Sequence, residues 1–380
     1  MAVVAQPGVG PCLWGITMSF SLERLFVEVF APQRGDVVTI MYDLPHGQVP
    51  DTQEWRERRQ MAEEWHQQIA QFSGKYGFSI NPLVTYEATG MQNGQLPDYG
   101  LRQGDRVRLE DIARDSSIII SMPQFSATAP LVAFTKQYEN LRVASLPGVT
   151  KAMEETGLSA DYSRVAASCA RLAPLFSQSD GIEVMFSTGH TCYFDTSDHK
   201  PALQDNGRLH RSADRSAFRL RNLPSGEVCV VPNESPGSKT AGEIAVSYGS
   251  ETALFVVQNN QITDVRGDGP MAAKRRREFL GEKALRNIAE VAIGCNDKAV
   301  VTGNVLEDEK AGFHWAYGRS DHLGGTVGPR DFTAPDKVLH QDIVYAKGNP
   351  IVCRRLAFVF PDGTRRIVIR DGVLTLQDEG

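Results

Sequence analysis

The spacing of apolar residues changes character near Arg215, and that change constrains the fold of this chain more than any other feature. Before it, strand-length apolar runs alternate with segments of helical spacing. Leu22, Leu25, Phe26, Val29 and Phe30 mark a first amphipathic helix, and DVVTIMYDL after Gly35 reads as a strand. Trp55, Met61, Trp65, Ile69 and Phe72 form one face of a long helix over Thr52–Lys75. The runs FSINPLVTY, SSIIISM, ENLRVASL and GIEVMFST continue the alternation, with helices near Leu109–Ala113 and over Asp161–Ser177. This is the pattern of an α/β sheet. After residue 215, turn signals separate short strands: EVCVVP, EIAVSYG, TALFVVQ and QITDV. One helix is expected over Met271–Ile288, after which strands return, with Asp362-Gly363 and Asp371-Gly372 as hairpin turns. The expected fold class is α/β. It consists of an N-terminal α/β sheet domain over 1–215, with a loosely ordered leader at 1–20, and a β-rich α+β domain over 216–380. A chain of 380 residues is long enough for two such domains.

Charge and cysteine usage narrow the function classes. The formal net charge of −6 provides no overall positive field to attract phosphate, which argues against a general nucleic-acid binder. The basic run Lys274–Arg277 falls on the expected helix and reads as a solvated face. The six cysteines contain no C-x-x-C pair, so a zinc ribbon or redox dithiol is not indicated, and a reducing cytoplasm is the simplest home. The apolar leader lacks a basic start and is broken by Pro7 and Pro11, so it makes a poor signal peptide. No later segment has the length of a membrane span. No phosphate loop, dinucleotide fingerprint or nucleophile elbow occurs.

The residues suited to chemistry lie in the second half. His340 and Asp342 in VLHQDIVY share a face if the segment is a strand, with Gln341 pointing away. A histidine and a carboxylate on a rigid strand make a bidentate metal platform. For the tripeptide alone, a buried His–Asp hydrogen bond is the commoner meaning. His314 follows the carboxylate-rich LEDEK, and Glu309 lies five residues before it. Taken alone, His314 reads as structural and LEDEK as a solvated turn. Glu290 opens EVAIG, where Glu290, Ala292 and Gly294 would share a face, a carboxylate beside small residues that admit a ligand. Glu227 begins EVCVVP directly after the turn sequence Leu-Pro-Ser-Gly and can face a cleft or water.

In order, LPSGEVCVVP, AEVAIGCN, LEDEKAGFHWAYG, a Gly-Gly pair and HQD resemble the metalloaminopeptidases of the aminopeptidase T and S type, over about the last 160 residues. The resemblance implies a metal-dependent hydrolase that removes N-terminal residues from peptides with a two-metal-activated water. It implies Glu227, Glu290, His314, His340 and Asp342 as metal ligands, Glu290 as the bridging and catalytic carboxylate, and Glu309 as an additional acidic position. It also implies two divalent ions per chain (zinc, cobalt or manganese), a peptide or small-molecule substrate, and a homodimer. One departure stands out: the family's tyrosine, seven residues after the equivalent of His314, is here Asp321, followed by His322. A ring-opening dihydroxypyridine dioxygenase resembles the same fold family. His314, His340 and Asp342 form the two-histidine, one-carboxylate set of a mononuclear Fe(II) oxygenase, which is the alternative. A third alternative is a biosynthetic or binding protein that keeps the metal site without peptidase turnover.

Overall fold

Capping residues and apolar spacing set the elements of the first half. A computed structural model describes residues 20–212 and 218–376. The expected leader lies outside the described residues apart from Phe20, which stacks on Trp65. Helix α1 (Leu22–Phe30) is capped by the Ser21 hydroxyl and buries Leu22, Leu25, Phe26, Val29 and Phe30. Strand β1 (Val37–Leu44) follows. Helix α2 (Gln53–Tyr76) is capped by Thr52 and stopped by Gly77 in the left-handed region. The chain continues through β2 (Ser79–Ile80), β3 (Val84–Glu87), β4 (Tyr99–Arg102), β5 (Asp105–Arg108) and α3 (Leu109–Asp115). Strand β6 (Ile118–Ser121), helix α4 (Thr128–Gln137) and strand β7 (Arg142–Ser145) follow.

Helix α5 (Tyr162–Gln178) precedes β8 (Gly181–Phe186), β9 (Thr191–Asp195), β10 (Leu203–Asp205), β11 (Leu220–Asn222) and β12 (Glu227–Val230). Strands β13 (Ala241–Tyr248), β14 (Glu251–Gln258) and β15 (Gln261–Arg266) form a meander. Then come α6 (Pro270–Gly281), β16 (Ile288–Gly294), α7 (Val305–Asp308), β17 (Phe313–Gly318) and β18 (His340–Val344). Strands β19 (Cys353–Val359), β20 (Arg365–Arg370) and β21 (Val373–Leu374) close the chain through turns at the two expected Asp-Gly pairs.

The α/β class expected from the alternation is the one found. The first sheet runs β11-β7-β6-β1-β3-β4-β5 with β2 also paired to β1, parallel as far as β3. A second sheet runs β15-β14-β13-β9-β8-β19-β20-β21, and a third, smaller one runs β10-β12-β16-β17-β18. Sheet membership does not change at residue 215. Strands β8 and β9 lie in the middle of the second sheet, β10 joins the third, and β11 pairs back onto β7 in the first.

The helix expected over Met271–Ile288 ends at Gly281. Glu282 leaves helical geometry (φ −132°, ψ 101°), and its carboxylate accepts from Ala284 N and Thr333. A short 3₁₀ turn over Lys283–Arg286 delivers the chain into β16, which is buried along its whole length. The basic run lies on α6: Lys274 is half-exposed, while Arg276 donates to Val265 O and Gly267 O. Among the described residues no helix is long and apolar enough to cross a membrane, and the described cysteines form no disulfide.

Candidate metal centre

The third sheet assembles the expected residues from four adjacent strands. Glu227 on β12 lies opposite Gly294 on β16. Across β16 and β17, Ala292 pairs with His314 and Glu290 with Ala316. Ala316 in turn pairs with Asp342 on β18, and Gly318 with His340. Alanine or glycine therefore stands opposite each of these side chains on at least one neighbouring strand. Glu309 comes from the 3₁₀ turn Glu309–Ala311, between α7 and β17. Gly294 has a different use from the ligand clearance expected of it. A Cβ there would overlap the Glu309 and Lys310 main chain, so the glycine lets that turn close onto β16.

All six expected residues meet, in two groups. Glu227, Glu309 and His314 form one triad, and Glu290, His340 and Asp342 the other; within each, one candidate ligand atom per residue lies within 4.8 Å of the others. The iron set suggested by sequence therefore draws on both, with His314 in one triad and His340 and Asp342 in the other. Glu290 reaches both: Oε2 is 2.9 Å from His340 Nε2, and Oε1 is 3.9 Å from His314 Nε2. His340 Nε2 also lies 3.3 Å from Asp342 Oδ1, and His314 Nε2 lies 3.4 Å from Glu227 Oε2.

Both imidazoles turn Nδ1 to a main-chain carbonyl, at 2.7 Å to Arg319 O for His340 and 3.3 Å to Gly312 O for His314. That arrangement selects Nε2 as the atom facing the site, the usual outer-shell device for a metal-ligating histidine. Glu227 Oε2 is buried and faces His314 Nε2 at 3.4 Å, an acceptor already directed at a cation. The donors are all nitrogen and oxygen, so they fit a divalent ion without selecting among zinc, cobalt, manganese and iron.

Sequence reading gave no place in the site to four residues found there. Lys310, 1% exposed, places Nζ 2.6 Å from both Glu227 Oε1 and Glu309 Oε1 and 3.7 Å from Asp205 Oδ2. It is an ammonium at the centre of the first triad, where LEDEK had read as a solvated turn. Asp205 enters from β10. Burial pushes the Cys229 thiol, on β12, well up, and the Glu290 and Glu227 carboxylates add to the shift. The His322 ring meets the His340 ring edge-on, with centroids 4.8 Å apart. Asp321, at the departure from the family pattern, is paired with Arg319, outside both triads. Tyr317 is buried against Phe279 and Phe255, on the sheet face that packs against the second sheet.

Burial and charge set the protonation states. Burial raises the Glu227 carboxyl, but the Lys310 ammonium and His314 outweigh it and hold it down at about 2. Asp342 is likewise raised by burial and then held at about 2 by His340. Burial opposes charge on His314, yet bonding to Glu227 carries it up to about 9. His340 is also lifted well above its ordinary value by Asp342 and Glu290, against burial. Glu309 moves the other way from Glu227: burial lifts it to about 8, only partly offset by Lys310. His322 is pushed down to about 4 by burial and then by His340.

No family model and no curated protein matches the chain. Solved structures do. The chain is similar to a 2,5-dihydroxypyridine dioxygenase from Pseudomonas putida KT2440 at a TM-score of 0.60 and 14% identity, covering 94% of this chain and 98% of that one. It is also similar to wild-type AmpT from Thermus thermophilus, an aminopeptidase T, at a TM-score of 0.60 and 13% identity, covering 93% of this chain and 98% of that one. These likenesses show a shared α/β fold.

Proposed function

We propose that the chain is a metal-dependent hydrolase of the aminopeptidase kind, releasing N-terminal residues from peptides with two divalent ions per chain. The observation that carries this reading is the position of Glu290, whose two oxygens face the histidines of the two triads at 2.9 and 3.9 Å. Glu227, Glu309 and His314 would hold one ion, His340 and Asp342 the other, and Glu290 both. When bound, the ions supply Lewis acidity at the scissile amide and a water acidified to near neutral pH. The chain's own residues do the positioning. Arg319 O and Gly312 O hold the two imidazoles in place through Nδ1, and Lys310 offsets the mutual repulsion of Glu227 and Glu309. Metal analysis of protein purified without added metal, followed by a peptide-release assay, tests the reading. Two ions per chain and free amino acid are expected.

The second reading, a mononuclear Fe(II) ring-cleaving dioxygenase, is favoured by one specific observation: Lys310 already places a cation 2.6 Å from both Glu227 and Glu309. One iron per chain, with oxygen consumed on a hydroxylated ring substrate, would replace the hydrolase reading with this one.

A further inference from the structure

A cleft of about 370 Å³ runs along β18 beside the second triad. Asp342, Val344, Tyr248 and Arg275 are among the residues that line it. Arg275 belongs to the basic run that reads in sequence as a solvated face, yet its side chain is only 19% exposed and turns inward. Its Nε donates to Tyr248 Oη at 3.1 Å, its Nη1 donates to Glu278 Oε2 at 2.6 Å, and its guanidinium lies 5.3 Å from the Tyr248 ring centroid. Among the described residues nothing accepts from Nη2. The guanidinium is therefore fixed in direction with Nη2 to spare, a charge-assisted donor for one oxygen of a carboxylate.

The edge of β18 adds main-chain donors. In the third sheet β18 is the last strand. Tyr345 N bonds Phe313 O, and Arg319 N bonds Leu339 O, so the odd-numbered residues of this strand face β17. By antiparallel alternation, the N–H groups of Asp342 and Val344 point to the open edge. Asp308 also lines the cleft, but its carboxylate is occupied by Thr302 N at 2.7 Å and Gly303 N at 3.0 Å. Asp342 belongs at once to the cleft and to the metal triad, 3.3 Å from His340. The volume is at the small end of ligand pockets, which run from about 300 to 1,000 Å³.

We infer that this cleft binds the carboxylate end of a short peptide, with Arg275 as the carboxylate-binding residue and the free edge of β18 holding the peptide main chain. The inference rests on the aminopeptidase reading and narrows its substrates to peptides of a few residues with a free C-terminus.

The test uses two uncleavable probes, N-acetyl-leucine and N-acetyl-leucinamide, which lack the free amine an aminopeptidase needs. Calorimetry on the metal-loaded wild type should show the acid binding at least ten-fold tighter than the amide. Arg275→Gln should erase that preference by weakening the acid alone. Arg275→Lys keeps the charge but loses the donor that Tyr248 and Glu278 hold in direction, so it should bind the acid several-fold more weakly, and it serves if the Gln variant does not fold. Equal binding of acid and amide by the wild type, binding of neither, or a preference that survives both substitutions would overturn the inference. Hydrolysis of leucyl-leucine, assayed separately, reports on the peptidase reading. Hydrolysis without acid preference removes only the cleft assignment, and acid preference without hydrolysis removes only the peptidase.

Discussion

Lys310 decides how the first triad behaves without metal. Its ammonium is fully enclosed by Glu227, Glu309 and Asp205. Removing one partner of a buried ion pair costs about 3–5 kcal/mol, because the other charge is left uncompensated. Lys310→Met should therefore lower the stability of the metal-free protein by that order. A divalent ion can replace the lost charge, so added metal should raise the melting temperature of the variant more than that of wild type. Melting curves with chelator and with excess metal test this; equal metal gains in both proteins would remove Lys310 from the site's charge balance. His314 sets the pH dependence. Its folded value of about 9 lies above the ordinary 6.5. Its contribution to metal-free stability is therefore complete below about 6.5 and lost as the pH rises through 9. Metal binding runs the opposite way, since an imidazolium cannot ligate and the ion must expel the proton. Apparent metal affinity should rise between pH 6.5 and 8.5, by about ten-fold per pH unit for each proton released. Calorimetry at the two pH values would show it, and a pH-independent affinity would exclude His314 as a ligand. Strand alternation pointed to Glu290, His340 and Asp342, while Glu227, Glu309 and His314 entered through the order of the blocks, and the structure brings all six together. Lys310 was not legible, because a lysine among carboxylates in sequence looks solvated until Gly294 is seen to draw its turn onto β16.

At the level of the element, β18 behaves as its two-residue period requires. His340 and Asp342 share the site face, while Gln341 turns its amide to Asp342 O. If the shared face is a metal platform, His340→Ala and Asp342→Ala should each lose most of the metal-induced stabilisation, and Gln341→Ala should keep it. For wild type that stabilisation is about 2.7 kcal/mol at a metal concentration 100 times Kd. Should the pair be only a structural hydrogen bond, all three variants would gain equally from metal. The Asp36–Arg142 pair shows the same logic at the start of β1. It is fully buried at 3.0 Å, and Arg142 also donates to Phe30 O and Leu209 O. Burial raises the Asp36 carboxyl, but Gln33 N–H and Arg142 outweigh it and hold it below the usual carboxylate range. Its stabilisation is present above pH about 4 and fades only as the pH falls below the ordinary aspartate value. The end of α6 was the element read least well. The apolar spacing runs on past Gly281, whereas Glu282 turns out of the helix and accepts from Ala284 N and from Thr333, a partner distant in sequence.

For the whole molecule, the sheets interlock across the point where the sequence changes pattern. Strand alternation is local and could be read along the chain; the partner of each strand is set by long-range pairing and could not. Strands β8 and β9 connect β13 to β19 at the centre of the second sheet, so a chain starting at residue 216 lacks the link between its two meanders. It also lacks β10, which covers one edge of the metal-site sheet, and α5, whose Cys169 thiol touches Glu227 O and the Cys295 sulfur at 3.6 and 3.4 Å. A fragment of residues 216–380 should therefore be unfolded or aggregated. A fragment of residues 161–380 contains α5 and every strand of the second and third sheets, leaves β11 without its partner β7, and loses the bonds from Tyr162 N to Glu28 and from Asn304 Nδ2 to Gly148 O. It also loses Gly157, whose N–H bonds the buried Glu307 carboxylate at 2.8 Å. Leaving that acceptor without a partner costs about 1–3 kcal/mol, a penalty that a core of two sheets can carry. The longer fragment should therefore show a cooperative urea transition and a melting temperature that rises with divalent metal, below that of the full chain. Cooperative folding of 216–380 alone would show that the metal-site sheet does not depend on β8–β10, and would put the folding boundary back at the change in sequence pattern.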